Sequence, residues 1–325
     1  MTVFETDSDD LDILLDQLDH PDAATRRVAI LALADCGDDS AIPALLRRLD
    51  DAEPDLRAEA AKALGSFHAS TVAPALVQAL HDPDATVREA AATVLPDVVT
   101  RQDEPLLLAA ANHPAPFVQA VALRALTPLR APAAFDVAAA ALASVAHTAP
   151  ETTTDIRRAA AALLGWLRTD AACTLLVQAA RTDPDSEVRR TAIGALTHGP
   201  ATEATVRHAL SDPSWHVRET AAERAGRLGL RDALPELAQA MTDDYWQVRV
   251  KAAAALGQPG LSAALEILAP ALSSPISTLR KEAAAALGAI GDTAALPLLN
   301  NLVDDPDPEV RKLARKAVVA LTRQT

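Results

Sequence analysis

Residues 71–96 set out a pattern that the rest of the chain repeats. Thr71-Val72-Ala73-Pro74-Ala75-Leu76-Val77-Gln78-Ala79-Leu80 places apolar residues at helical spacing. Pro74 falls in the first turn, where its missing N–H has no intrahelical partner to lose. His81-Asp82-Pro83-Asp84 interrupts the pattern, because the residue before a proline is pushed out of the helical region. A second apolar stripe follows, with Val87, Ala91 and Leu95 four residues apart on one face. The spacing predicts helix A over 71–80, a turn, and helix B over 87–95 with Asp84 as its N-cap. Glycine is expected to close helix B in a left-handed conformation at Gly65, Gly165, Gly257 and Gly288.

The same phrase returns at a nearly fixed interval. An Arg, or once a Gln, marks it at Arg26, Arg57, Arg88, Gln119, Arg157, Arg189, Arg218, Arg249, Arg280 and Arg311. The steps are 31, 31, 31, 38, 32, 29, 31, 31 and 31 residues. Asp82-Pro83-Asp84-Ala85-Thr86-Val87-Arg88 recurs as Asp183-Pro184-Asp185-Ser186-Glu187-Val188-Arg189 and as Asp305-Pro306-Asp307-Pro308-Glu309-Val310-Arg311. Neither helix can bury its stripe alone, so copies must stack to make a core. The Arg and the Asp six residues before it (Asp82 and Arg88, Asp212 and Arg218, Asp243 and Arg249) are expected to form a ladder of charge-assisted hydrogen bonds between repeats.

Helix A with its Pro, the Asp-Pro turn, Val-Arg and the closing Ala-Leu-Gly resemble the HEAT repeat family, in the short form first named in phycobilisome lyases. The resemblance covers about residues 11–322. Periods of ordinary HEAT and armadillo repeats are longer, roughly 40–47 residues. The Thr-Pro-Leu-His and Trp-Leu-Gly-Tyr signatures of ankyrin and tetratricopeptide arrays are absent. The resemblance implies an all-α fold, a right-handed α-solenoid of about ten stacked two-helix repeats. Residues 1–10 read as an acidic N-terminal tail and 11–325 as a single solenoid with a loop insertion at about 144–154, where Pro and a run of Thr are loop chemistry.

Composition narrows the partners. Half the residues are hydrophobic but only 2% are aromatic, so the apolar mass is Ala, Leu and Val, suited to thin helical layers. The net charge of -14 disfavours nucleic acid and anionic membrane, because phosphate binding needs neutralising cations. Residues 1–60 carry sixteen acidic side chains against five Arg, while residues 309–325 carry one Glu against five basic side chains, a polarity that suits polar end caps. Cys36 and Cys173 lie in different repeats and read as small buried residues of a reduced compartment. The first residues lack a basic segment followed by an apolar run, and no apolar stretch approaches the roughly 18 residues of a membrane span. The chain is expected to be cytoplasmic and monomeric.

The departures from the repeat carry the candidate sites. His113 and Gln119 replace the turn Asp and the Arg together, which would leave neither charge alone. Trp215 and Trp246 each stand three residues before a marker Arg in consecutive repeats, flanked by His216 and Tyr245. Equivalent positions of neighbouring repeats lie side by side, so the two indoles are expected to form one patch at the start of the B helices. That patch suits a protein interface, and equally a structural wedge at the turn. Trp166, at the end of a helix B, is expected in the core.

Reactive chemistry is absent by pattern. The eight His have no zinc spacing, none is followed by the Glu of the iron-binding HEAT hydroxylases, and there is no phosphate loop or nucleophile elbow. The outward positions of helix B mix signs (Glu59, Lys62, Glu89, Arg124, Glu219, Glu223, Lys281), unlike a basic DNA-binding face. No catalytic residue, cofactor or metal is expected. The leading reading is a non-enzymatic scaffold that binds a protein or peptide along the helix B surface, rich in Ala at 159–162, 252–255 and 283–286. The alternative is a tetrapyrrole-handling, lyase-like factor, which the resemblance to phycobilin lyases implies.

Overall fold

A computed structural model describes residues 8–144 and 150–323. Residues 1–7 of the expected tail and 145–149 of the expected insertion lie outside the described residues. Among the described residues all regular structure is helical. The chain divides into two compact units, 1–167 and 168–325.

The first unit pairs α1 (Ser8–Gln17) with α2 (Ala23–Cys36), α3 (Ile42–Arg48) with α4 (Pro54–Ala63), and α5 (Val72–Ala79) with α6 (Ala85–Val98). It continues with α7 (Glu104–Ala111) and α8 (Pro116–Leu126), then α9 (Ala134–Ala143) and α10 (Pro150–Leu167). The second unit pairs α11 (Asp170–Thr182) with α12 (Ser186–Ala195), α13 (Pro200–Ala209) with α14 (Trp215–Arg227), and α15 (Leu234–Ala240) with α16 (Trp246–Leu256). Its last pairs are α17 (Leu265–Leu268) with α18 (Ser277–Ile290), and α19 (Leu296–Asn300) with α20 (Pro308–Thr322). Odd-numbered helices are A and even-numbered helices are B, so the fold is the all-α solenoid that the repeat demands. Two boundaries differ from the sequence reading. Ser8–Asp10 already belong to α1, and Pro150–Thr154 open α10 rather than a loop, since the fixed φ of proline suits a first helical turn.

Burial follows the stripes. Val87, Ala91 and Leu95 are fully buried, and Asp84 caps α6 by accepting the Thr86 N–H at 2.8 Å. Within each unit the broadest packing runs from one B helix to the next, as from α4 to α6 and from α14 through α16 and α18 to α20. Alanine makes this possible. Most of the Ala in the three Ala-rich runs of the B helices is buried, as at Ala159–Ala161, Ala252, Ala253, Ala283 and Ala284. Ala162, Ala254 and Ala285 keep some exposure.

The repeat glycines serve the same contact. Gly65, Gly257 and Gly288 do not adopt the left-handed conformation, which occurs instead at Gly37 and Gly291, the C-caps of α2 and α18. A Cβ on Gly257 would stand 2.8 Å from Ala286 Cα, and one on Gly226 3.0 Å from Ala255 Cα. On Gly65 and Gly288 it would meet Val94 and Ala317 side chains at 2.9 and 2.7 Å. In all four cases the neighbour lies 29 residues on, in the next helix B, so the glycine is absent bulk where two helices meet, backbone to backbone at Gly226 and Gly257.

The charge ladder exists, in a different register from the one expected. Except at Arg157, whose Nη1 donates to Thr153 Oγ1 at 2.6 Å, each marker Arg donates Nη1 to carbonyls of its own turn, as Arg218 does to Asp212 and Pro213 at 2.8 and 3.1 Å. Its Nε and Nη2 reach the carboxylate of the following turn, so Arg218 grips Asp243 at 2.6 and 3.0 Å. The same fork joins Arg26 to Asp51, Arg57 to Asp82, Arg189 to Asp212 and Arg280 to Asp305. Each carboxylate also accepts the N–H two residues on, as Asp82 does from Asp84 at 2.8 Å. Thus Asp212 belongs to Arg189, not to Arg218.

This register changes the meaning of His113 and Gln119, which belong to two separate rungs. Arg88 keeps the carbonyls of Asp82 and Pro83 but, among the described residues, meets no carboxylate, since His113 stands 25 residues on. His113 Nδ1 accepts the Ala115 N–H in place of the missing carboxylate, and its Nε2 lies 3.4 Å from Nε2 of His81. His81 Nδ1 lies 3.2 Å from the Val77 carbonyl and must donate to it. These partners assign the tautomers, with His113 Nε2–H donating to His81 Nε2. Arg249 likewise faces Ser274 and holds only its own turn, at the carbonyls of Asp243 and Asp244.

Arg218→Ala is expected to destabilise the second unit by about 1–3 kcal/mol, because the part-buried Asp243 loses its fork while Asp212 keeps Arg189. Urea denaturation of Arg218→Ala, Asp243→Asn and the double variant checks it: the pair Arg218/Asp243 should couple and Arg218/Asp212 side-chain substitutions should add. Gly257→Ala is expected to cost about 1–3 kcal/mol by forcing α16 from α18. An unchanged denaturation midpoint would show that the two helices separate freely.

Candidate partner-binding site

The aromatic patch is built on the ladder. Arg189 fixes Asp212, and Asp212 Oδ1 accepts the Ser214 N–H at 2.8 Å, one residue before Trp215 opens α14. One pair on, Arg218 fixes Asp243, whose Oδ1 accepts the Tyr245 N–H at 2.9 Å, and Trp246 opens α16. Each turn is therefore clamped by an Arg from the preceding B helix just where the aromatic side chains begin.

The rings stack across the two turns. Trp215 lies on His216 with centroids 3.7 Å apart, and on Tyr245 at 5.1 Å with the planes within 11°. The ring that meets Trp215 is thus Tyr245, one residue before the expected Trp246. Trp215 is half-buried and His216 exposed, while Tyr245 and Trp246 remain 45% and 42% exposed. Stacking accounts for the difference: Trp215 lies against two rings, and Trp246 has no ring partner among the described residues. Tyr245 also lies 5.9 Å from the Arg218 guanidinium, so the ladder touches the patch directly. Trp215, His216 and Tyr245 stack as one group of rings across adjoining turns, and Trp246 follows Tyr245 at the start of α16.

Ionisation couples the patch to the ladder. Burial pushes the Asp243 carboxyl up, but the Arg218 fork, the Tyr245 N–H and Arg249 more than reverse this, leaving it below its ordinary 3.8. The folded-state value is the lower one, so this stabilisation is complete above pH 3.8 and is lost as pH falls through the folded value.

Two other sequence expectations shift. Trp166 is not core: it is 44% exposed, with the Arg130 guanidinium 4.5 Å over its ring. Cys36 and Cys173 are free and half-buried rather than buried. No group of three or more metal-ligating side chains is found among the described residues, nor a helix long and apolar enough to cross a membrane. A groove at Phe117 and Arg124 was missed from sequence. Its signal was a large apolar residue two before a marker that had also lost its Arg.

Paired helices repeated at one spacing, clamped turn to turn, define an α-solenoid repeat protein. A family profile described as HEAT repeats matches residues 11–96, 73–154, 103–197, 176–246 and 234–318, and the chain belongs to the HEAT repeat family. No curated protein sequence matches it closely enough to count as a relative. Importin beta superposes with a TM-score of 0.61 at 16% identity, over 99% of this chain and 52% of its own. The Escherichia coli protein YibA does so with 0.52 at 20% identity, over 94% and 99%. At such identities the likeness is one of fold alone.

Expected outcomes separate exposed rings from structural wedges. Trp246→Ser should cost under about 0.5 kcal/mol, as for an exposed site, and Trp215→Ser more, about 1 kcal/mol, through the lost stack. In single-tryptophan variants, acrylamide should quench Trp246 more readily than Trp215. Equal protection of both would mark them as buried wedges.

Proposed function

We propose that the protein is a non-enzymatic scaffold that binds a protein or peptide, with Trp215, His216, Tyr245 and Trp246 as part of the contact surface. The observation that carries this reading is the exposure of Tyr245 and Trp246 on turns fixed by two ladder rungs. Rigid aromatics bury much area on binding and have few rotors to immobilise, which suits them as anchors. HEAT repeats and the importin-like fold support a scaffold, since stacked repeats offer long surfaces. The partner is a protein rather than nucleic acid, in keeping with the charge of -14.

The test compares partners rather than counting them. A protein retained by the wild-type chain from host extract should be lost by Tyr245→Ser/Trp246→Ser, with affinity weakened by about 30-fold or more, the scale of 2 kcal/mol. Retention of every partner by a folded double variant would remove the patch from the function. Duplex DNA at physiological salt should bind no better than about 10⁻⁴ M. A salt-sensitive gel shift at sub-micromolar protein would overturn the exclusion of nucleic acid.

A further inference from the structure

A groove of about 510 Å³ runs between α8 and α10 in the first unit, whereas the aromatic patch is carried by the second. Its size lies within the roughly 300–1,000 Å³ of ligand sites. Pro116 and Phe117 form one end, and Ala120, Ala159 and Ala162 line its length. Phe117 is 38% exposed. Arg124 stands seven residues along α8 from Phe117, which is about 10 Å at 1.5 Å per residue.

At two other junctions of B helices opposite charges meet across the gap, Arg27 with Glu59 at 3.1 Å and Lys251 with Glu223 at 2.9 Å. Here Asp155 is taken by Arg158 of its own helix at 2.8 Å. Arg124 has no hydrogen-bond or ion-pair partner among the described residues. Arg124 is exposed along the groove, open to a ligand from solvent. The groove therefore holds one surplus positive charge in a chain of net -14. A guanidinium presents a planar fork matched to a carboxylate, and bringing one in would relieve the charge imbalance.

We propose that the α8–α10 groove binds an extended peptide segment of a partner protein that carries an acidic side chain three residues from a medium-sized apolar one. The apolar side chain packs on Phe117 and the alanines, and the carboxylate takes the Arg124 fork. In an extended segment of polyproline II form, which repeats every three residues, side chains three apart face the same way and stand about 9 Å apart, close to the roughly 10 Å from Phe117 to Arg124. The site does not depend on the aromatic patch, so the two can fail separately.

The test uses the full chain and a dye-labelled peptide with blocked ends, bearing Leu and Glu three residues apart in a Gly/Ser background, read by fluorescence anisotropy. Saturable binding is expected, weakened at least tenfold by Gln for Glu in the peptide, by Arg124→Gln and by Phe117→Ala. Arg124→Lys should give an intermediate loss, since it keeps the charge without the fork. Should Arg124→Gln melt early, Arg124→Lys and the peptide pair decide the question. Absence of saturable binding by the wild-type chain, or equal affinity for the Glu and Gln peptides, would overturn the proposal.

Discussion

One guanidinium serves two turns, and the rest of the fold depends on that economy of donors. Nη1 closes the turn that precedes its own helix B, while Nε and Nη2 hold the carboxylate of the next turn. A single side chain thereby fixes both the angle within a helix pair and the stacking of one pair on another. The arrangement is also self-enforcing. The acceptors are largely withdrawn from water, with Asp51 and Asp305 at 7% exposure, and a carboxylate so placed is costly unless paired. Each rung thus makes its partner necessary, which is why an Arg and an Asp recur with so little drift.

Backbone contact between B helices is the second constraint, and it acts through absence. Where Gly226 faces Ala255 and Gly257 faces Ala286, there is no room for another carbon. The ladder sets the edge of the stack and these contacts set its spacing. The aromatic side chains begin one residue from a clamped carboxylate's acceptor bond, so their placement inherits the rigidity of the turn rather than of the helix.

The fold was legible because its signals are local and repeated ten times. Proline in a first turn, Asp as N-cap and apolar residues four apart each have one reading. What was not legible concerns relations between repeats. The six-residue spacing of Asp212 and Arg218 invited a side-chain pair, but on the folded chain Arg218 meets the carbonyl of Asp212 and the carboxylate of Asp243. A terminal Gly looks alike whether it turns the chain, as Gly291 does, or admits a neighbour, as Gly288 does. In the candidate site the four residues were visible as oddities, but which rings would touch was not. Tyr245 lies over Trp215 because the turn aims the capping residue back along the array. The α8–α10 groove escaped notice because the lack of a partner for Arg124 is a property of its surroundings.

The two spacings of the ladder also tell how such a chain can change length. Along the ladder the marker Arg reaches back six residues, as to Asp82, Asp212 or Ser274, whereas Arg157 donates to Thr153, four back. The forward reach is 25 residues from Arg57 or Arg280 but 23 from Arg189. The short 29-residue repeat has therefore lost its two residues between Arg189 and Asp212, in the stretch from the end of helix B through helix A, and none between turn and Arg. Insertions and deletions can accumulate in one half of each repeat while the clamped edge keeps its register. The row of turns then acts as a fixed ruler, and lineages can resize the opposite side of the array without disturbing whatever that edge presents.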